Sequence, residues 1–373
     1  MRRRTALVLP ALALAALGAA LTASGDPTMH TSSPQWRQGR FRNPQPLWND
    51  YVSAVKATFS FDANARPGKP LPVHRPAPED LLGGGLRATW LGHSTVYLDI
   101  GGVRILTDPV WAERASPVGW AGPRRFHPAP VALEDLPLPH AVVLSHDHYD
   151  HLDLAAIRRM KDWPTRFFAP LGVDRRLEKA GIPRERITAL DWWQSAQVEG
   201  LEILSVPARH ASGRGLLDRD RTLWSGWVFR GPAHRVYFSG DTGMFDALER
   251  IADLGPFDLT LIECGQYGPA WPDWHMGPEQ AVKAHRILGG RHLLPIHWGT
   301  FPLAPHAWTE PVERVLAEAA RTGERVLTPR PGEPVLPGTT ATARWWPALP
   351  WKRAEEAPIV STPNGLRPQP ARG

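Results

Sequence analysis

The chain has 373 residues, 42% of them hydrophobic and 21% charged, which is enough apolar material for one large core or two small ones. Forty prolines and 33 glycines favour many turns over long bundled helices. The formal net charge of +6 owes three units to Arg2, Arg3 and Arg4; with no long basic run or RNA-binding signature, no nucleic-acid partner is expected.

Residues 1–25 read as a signal peptide or N-terminal anchor. Met1-Arg2-Arg3-Arg4 is a basic start, Ala6 to Ala20 is an apolar run, and Leu21 to Gly25 offers small residues for cleavage. The run is near the lower limit for crossing a bilayer, so a cleaved leader is preferred over an anchor. The only cysteine, Cys264, cannot form an internal disulfide and is expected in the core. Export without disulfides fits a periplasmic or envelope-associated bacterial protein.

Residues 26–80 are Pro-, Asn- and Arg-rich and read as an extension that wraps the core, with a short helix around Asp50 to Phe59. The regular pattern, over 81–330, begins with a hairpin: Leu86 to Ile100 and Val103 to Leu106, joined by Gly101-Gly102. Ala141 to Leu144 predicts a buried strand and Leu154 to Lys161 a helix. Further strands are predicted at Leu201 to Val206, Trp224 to Phe229, Arg235 to Phe238, Leu259 to Glu263 and His292 to Ile296. Helices are predicted at Met244 to Leu254 and Pro278 to Leu288. Strands alternating with helices in the middle, and pairing as hairpins elsewhere, predict two sheets each covered by helices. Residues 331–373 form a Pro- and Arg-rich tail expected to end in disorder.

Chemistry concentrates between the strand at 141–144 and the helix at 154–161. Ser145 to Asp153 contains His146, His148, Asp150 and His151 in the order His-x-His-x-Asp-His. Imidazoles and carboxylate together suit a borderline cation such as zinc. If the first helical turn began here, His148 and His151 would share a face. Later strands end in further candidates: His210 after Val206, Asp241 after Phe238-Ser239-Gly240, and His297 after Ile296. A lone histidine after a strand is more often structural. Three such groups behind the four-ligand loop are hard to assign to chance.

This order resembles that of the metallo-β-lactamase-fold hydrolases. Within that superfamily, Thr89-Trp90-Leu91-Gly92-His93-Ser94-Thr95, Ile105 to Val110, Leu190-Asp191-Trp192-Trp193, Trp224-Ser225-Gly226-Trp227, Gly240-Asp241-Thr242-Gly243 and Ile296 to Thr300 are similar to one group. It is the N-acylphosphatidylethanolamine-hydrolysing phospholipase D group and its bacterial relatives, and the resemblance covers about residues 45–320. It implies a four-layer αββα sandwich of the α/β (α+β) class. It also implies two zinc ions per chain, one on His146, His148 and His210, the other on Asp150, His151 and His297, with Asp241 bridging. The pair would share a hydroxide and clamp a displacement at phosphorus. Asp150, Asp241 and His275 would be the catalytic residues, His275 through contact with substrate; Trp274 stands where the group carries a different residue before this histidine. Asp108, between a strand and Pro109, would fix an imidazole tautomer or simply form the turn. Asp147 would position substrate or sit in solvent, and Tyr149 would pack.

The activity implied is hydrolysis of N-acylphosphatidylethanolamine-like glycerophospholipids to phosphatidic acid and N-acylethanolamine. The alternatives are a metal-dependent lactonase acting on a sugar-phosphate lactone, or a non-catalytic zinc- or lipid-binding envelope protein. The partner would be a phospholipid or other phosphodiester, with peripheral membrane contact as a further expectation and the oligomeric state open. Trp192, Trp193, Trp224, Trp227, Trp271 and Trp274 are expected to offer apolar faces to acyl chains. Trp345, Trp346 and Trp351, near Lys352 and Arg353, would dock on the domain or meet a membrane.

Overall fold

Residues 32–57, 59–215 and 217–366 are described in the computed structural model of the chain. The leader expected over 1–25 lies outside them. Among the described residues, no helix is long and apolar enough to cross a membrane.

A two-strand ladder of β1 (Trp36–Arg37) and β2 (Arg40–Phe41) precedes a short helix, α1 (Tyr51–Ala57), none of whose residues is buried. The core follows in the order β3 (Leu86–Gly92), β4 (Thr95–Ile100), β5 (Val103–Thr107), β6 (Ala141–Val143), α2 (Leu154–Arg159), β7 (Arg166–Pro170), α3 (Asp174–Lys179) and β8 (Ile187–Leu190). It continues through β9 (Ser195–Val198), β10 (Leu201–Val206), β11 (Gly226–Arg230), β12 (Arg235–Phe238), α4 (Leu248–Ala252), β13 (Leu259–Glu263), α5 (Pro278–Ile287), β14 (Leu293–Ile296), α6 (Glu310–Thr322) and β15 (Pro334–Val335). One sheet has the order β15-β3-β4-β5-β6-β7-β8 and the other β14-β13-β12-β11-β10-β9.

The period-2 alternation of apolar residues assigns the layers. In the first sheet Ala88, Trp90, Val96, Leu98, Ile100 and Ile105 join an apolar cluster with Leu201, Ile203 and Phe229 of the second. The alternate residues Leu91, Tyr97, Leu106 and Val142 instead pack with Ala156 and Ile157 of α2 and Leu177 of α3. On the second sheet, α4, α5 and α6 contribute Leu248, Val282 and Val315 to the core. Both sheets are therefore covered on both faces, giving the αββα sandwich.

Several elements differ from expectation. The helix expected over 244–254 is confined to α4, and β11 starts at Gly226 because Ser225 N donates to Ser145 O and Trp224 O accepts from Trp192 Nε1. β7, β8, β9, α3 and α6 had no separate signal. The C-terminal segment is packed rather than loose as far as residue 366. β15 pairs with β3, Trp345 and Trp346 lie 5.6 and 5.4 Å from Trp298, and Trp298 stacks on Trp90 at 5.3 Å. Trp346 Nε1 donates to Glu313 Oε1 at 2.8 Å, so Trp345 and Trp346 dock on the domain.

Candidate metal centre

Strand direction decides where the centre forms. β12, β13 and β14 are parallel, and β10 runs the same way because both β10 and β12 are antiparallel to β11. Their C-terminal ends deliver His210, Asp241, Glu263 and His297 to one edge. The parallel strands β5 and β6 deliver Asp108 and the loop 145–153 to the same edge. The two sheets meet tightly there: Gly240 has φ +56, and a Cβ on it would stand 2.5 Å from Ser145 Cβ. His93, Asp108, Gln266 and His297, four of the eight non-glycine residues with positive φ among those described, cluster at this edge, as strained backbone does at functional sites. Helix α2 begins only at Leu154, with Asp153 Oδ1 accepting from Ala155 N and Ala156 N. His148 and His151 therefore stand on a turn before the helix, not on its face.

The structure brings all seven candidate ligands together. His146 Nε2 and His210 Nε2 lie 2.8 and 3.3 Å from His148 Nδ1. Asp150 Oδ2 lies 3.4 Å from His151 Nε2, and these two group with His297 and His93. Asp241 sits between the two groups: its Oδ2 is 3.8, 3.7 and 3.0 Å from Nε2 of His146, His210 and His151, and its Oδ1 is 3.1 Å from His297 Nδ1.

The outer nitrogens are held by the chain. His151 Nδ1 is 2.7 Å from Asp108 Oδ2 and His146 Nδ1 is 2.9 Å from Ser145 Oγ, while His297 Nδ1, the nitrogen that faces Asp241, is also 3.2 Å from Ser94 Oγ. His210 Nδ1–H donates to Trp274 O at 2.9 Å. Asn43, from the N-terminal extension, accepts from His210 N and donates to His210 O. Such partners fix ring orientation and leave the inner nitrogen for a cation.

A cation fits this arrangement. His151 Nε2, His297 Nε2 and Asp241 Oδ1 are buried yet engage in no hydrogen bond among the described residues. Buried polar atoms are almost always partnered, so donor atoms that approach closely without bonding mark a shared absent charge. Burial, reinforced by neighbouring imidazoles, holds His146, His210 and His297 well below their ordinary value, which leaves their lone pairs free. Burial pushes Asp241 up to about 7. His151 goes the other way: against burial, Asp241, Asp150 and Asp108 hold it well above its ordinary value. Five imidazoles and two carboxylates, with no thiolate, suit a borderline divalent metal.

Above the donors lies a cavity of about 290 Å³ whose walls include Tyr51, Trp271, Trp274 and Leu303. Two larger open cavities hold none of the seven ligands. His275 faces the 290 Å³ cavity, with its ring 5.2 Å from that of His297 and Nδ1 2.7 Å from Glu263 Oε2. Of the tryptophans expected in the cleft, only Trp271 and Trp274 reach it. Trp192, Trp224 and Trp227 are buried, the last donating to Leu144 O across the sheets, and Trp193 lies under Arg250. Asp147 is neither solvated nor open to substrate: it is buried, taking Arg176 Nε at 2.6 Å and Gly213 N at 2.7 Å. Tyr149 packs against Arg214, and Cys264 is buried.

Two residues at the centre carried no assigned role in the sequence. His93 Nε2 is 2.8 Å from Asp150 Oδ2, and Glu263 joins His275; a histidine after Gly92 and a glutamate ending an apolar strand were their only signals.

The sequence pattern of the Beta-lactamase superfamily domain matches residues 103–298. An uncharacterized protein of Mycobacterium tuberculosis is 46% identical over 346 residues, which cover 89% of this chain and 92% of that one. The N-acyl-phosphatidylethanolamine-hydrolyzing phospholipase D 1 of Caenorhabditis elegans is 43% identical over 247 residues, 62% of this chain and 69% of that one. Among solved structures, a metallo hydrolase from the archaeon Ignicoccus hospitalis aligns with a TM-score of 0.53 at 25% identity, covering 67% of this chain and 97% of that one.

Proposed function

The chain belongs to the beta-lactamase superfamily and resembles a metallo hydrolase in fold, and from that premise we propose that it is a binuclear zinc phosphodiesterase of the phospholipase D type. The proposed substrate is an N-acylphosphatidylethanolamine-like glycerophospholipid. Water breaks its phosphorus–oxygen bond to give phosphatidic acid and an N-acylethanolamine.

His146, His148 and His210 would hold one cation and Asp150, His151 and His297 the other, with Asp241 between them. Zinc suits so imidazole-rich a set. When bound, two such cations supply Lewis-acid polarisation of the phosphoryl group and a water of lowered pKa. The chain does the positioning. Asp108, Ser145, Ser94 and the Trp274 carbonyl orient the ligand rings. His275 presents Nε2, which makes no hydrogen bond among the described residues, to the polar end of the substrate. Tyr51, Trp271, Trp274 and Leu303 offer acyl chains an apolar wall and exclude water.

That wall, directly above the donors, is the observation that supports a lipid over a small polar substrate. The test is turnover by the zinc-loaded protein of long-chain and short-chain N-acylphosphatidylethanolamine and of a sugar-phosphate lactone, with products identified by mass. The expected result is fastest turnover of the long-chain lipid, because remote binding energy supports the chemical step. Much faster turnover of the lactone would replace the phospholipase reading with a lactonase.

A further inference from the structure

Glu263 breaks the pattern of its strand. Leu259, Leu261, Ile262 and Cys264 around it are apolar and buried, and Glu263 itself is 0% exposed. A carboxyl group is costly in such a place unless it is fully hydrogen-bonded. Its bonds are specific: Oε1 accepts from Thr242 N at 2.6 Å and from Met276 N at 3.3 Å, while Oε2 stands 2.7 Å from His275 Nδ1. One side chain thereby ties the residue after Asp241 to His275 and to the backbone that follows it.

We propose that Glu263 is the positioning residue for His275: by pinning Nδ1 it turns Nε2, which has no hydrogen-bond partner among the described residues, onto the substrate in the cavity. The inference rests on the reading of His275 as a substrate-contacting residue. Without the bond to Glu263 the ring could rotate about its side-chain torsions, since His297 and His210 meet it through ring faces and edges at 5.2 and 5.1 Å and Asp241 Oδ2 stands 4.0 Å from Nδ1, beyond hydrogen-bond reach. Glu263 lies close enough to Asp241, His275 and His297 to be a metal ligand itself. Both of its oxygens are already committed within the chain, which favours the positioning role.

The variant Glu263→Gln separates these roles. Glutamine keeps the shape and an oxygen for Thr242 N and Met276 N but presents an NH2 group to His275. Turnover is read with bis(4-nitrophenyl) phosphate, a diester that needs no lipid recognition. The zinc-loaded variant should bind as many metal equivalents as the wild type. Its kcat should fall on the order of 10- to 100-fold, with KM changed less than about threefold, because the NH2 group can hold Nδ1 only as an acceptor and so moves the ring proton to Nε2. In a His275→Ala background the same substitution should add less than about twofold, because a residue acting only through His275 has nothing left to act on. Additive losses in that background, or loss of a metal equivalent in Glu263→Gln, would overturn the proposal.

A second readout needs no turnover. One ring N–H of His275, assigned by its disappearance in His275→Ala, should exchange slowly with water in the zinc-loaded wild type and fast in Glu263→Gln. Equal exchange in the two proteins would overturn the proposal as well. If the wild type hydrolyses no diester, the phosphodiesterase reading fails, and the exchange measurement still decides the role of Glu263.

Discussion

Asp108 Oδ2 lies 2.7 Å from His151 Nδ1, and neither side chain is reached by solvent. The same carboxylate accepts from Ser145 N and Ser145 Oγ, and that hydroxyl stands 2.9 Å from His146 Nδ1. Asp108 therefore orients one imidazole in each of the two candidate ligand groups. Asp108→Asn should weaken metal binding about 10- to 100-fold, the usual cost of losing such a partner. Competition with a chelator measures this, and unchanged affinity would remove Asp108 from the centre.

Asp241→Asn takes away the negative charge between the groups while keeping the side chain's shape. It should lose one of two metal equivalents and lower turnover more than about 100-fold, with circular dichroism unchanged. Elemental analysis gives the metal count. Wild-type turnover with both metals bound would contradict the bridging role.

Burial, helped by Arg125, lowers His127 to about 3, and burial, helped by His292, lowers His285 to about 4. Both are therefore neutral in the folded state where the unfolded chain, at about 6.5, begins to protonate. Their contribution to stability is complete above pH 6.5 and is lost as pH falls through 6.5 towards 4 and 3, because the unfolded state binds more protons in that window. Each adds up to about 1.4 kcal/mol per pH unit there. Urea unfolding at pH 7, 6 and 5 should show a shallower decline for His127→Gln than for the wild type. An identical decline would mean that His127 titrates alike in both states.

Trp274 serves the centre twice: its carbonyl takes His210 Nδ1–H, and its side chain walls the cavity. Trp274→Ala keeps the first role and removes the second. It should lower kcat/KM for a long-chain lipid by about 10- to 100-fold and for a short-chain one by less than about threefold. Equal losses on both substrates would show that Trp274 does not meet the acyl chain.

The legible and illegible parts of this chain divide by distance along the sequence. The loop of His146, His148, Asp150 and His151 is contiguous, so its order alone announces metal chemistry, and Asp241 and His297 stand at strand ends that periodicity reveals. His93 meets Asp150 across 57 residues, and Arg209 meets the buried Asp273 across a similar span, with no local pattern to join either pair. Trp192, Trp224 and Trp227 misled because a tryptophan-rich motif looks alike whether its rings line a cleft or fill a core. The proline- and arginine-rich C-terminal segment reads as a loose tail by composition. Its Trp345 and Trp346 find partners on Trp298, which composition cannot see.

Arg209 and Asp273 pair at 3.0 Å, each fully buried, one residue before His210 and two before His275. Segments from before and after the core converge on them. Arg209 donates to Pro46 O and to Thr362 O, while Asp273 accepts from Trp48 N, Thr362 N and Thr362 Oγ1. The clasp around the metal-facing loops thus needs Thr362, which follows the last candidate ligand, His297, by many residues. A ribosome making this protein would have the donors for a cation outside its exit tunnel well before Thr362 is joined. Final closure of the centre consequently follows the addition of Thr362, so a residue far beyond the last candidate ligand bears on metal capture although it supplies no donor.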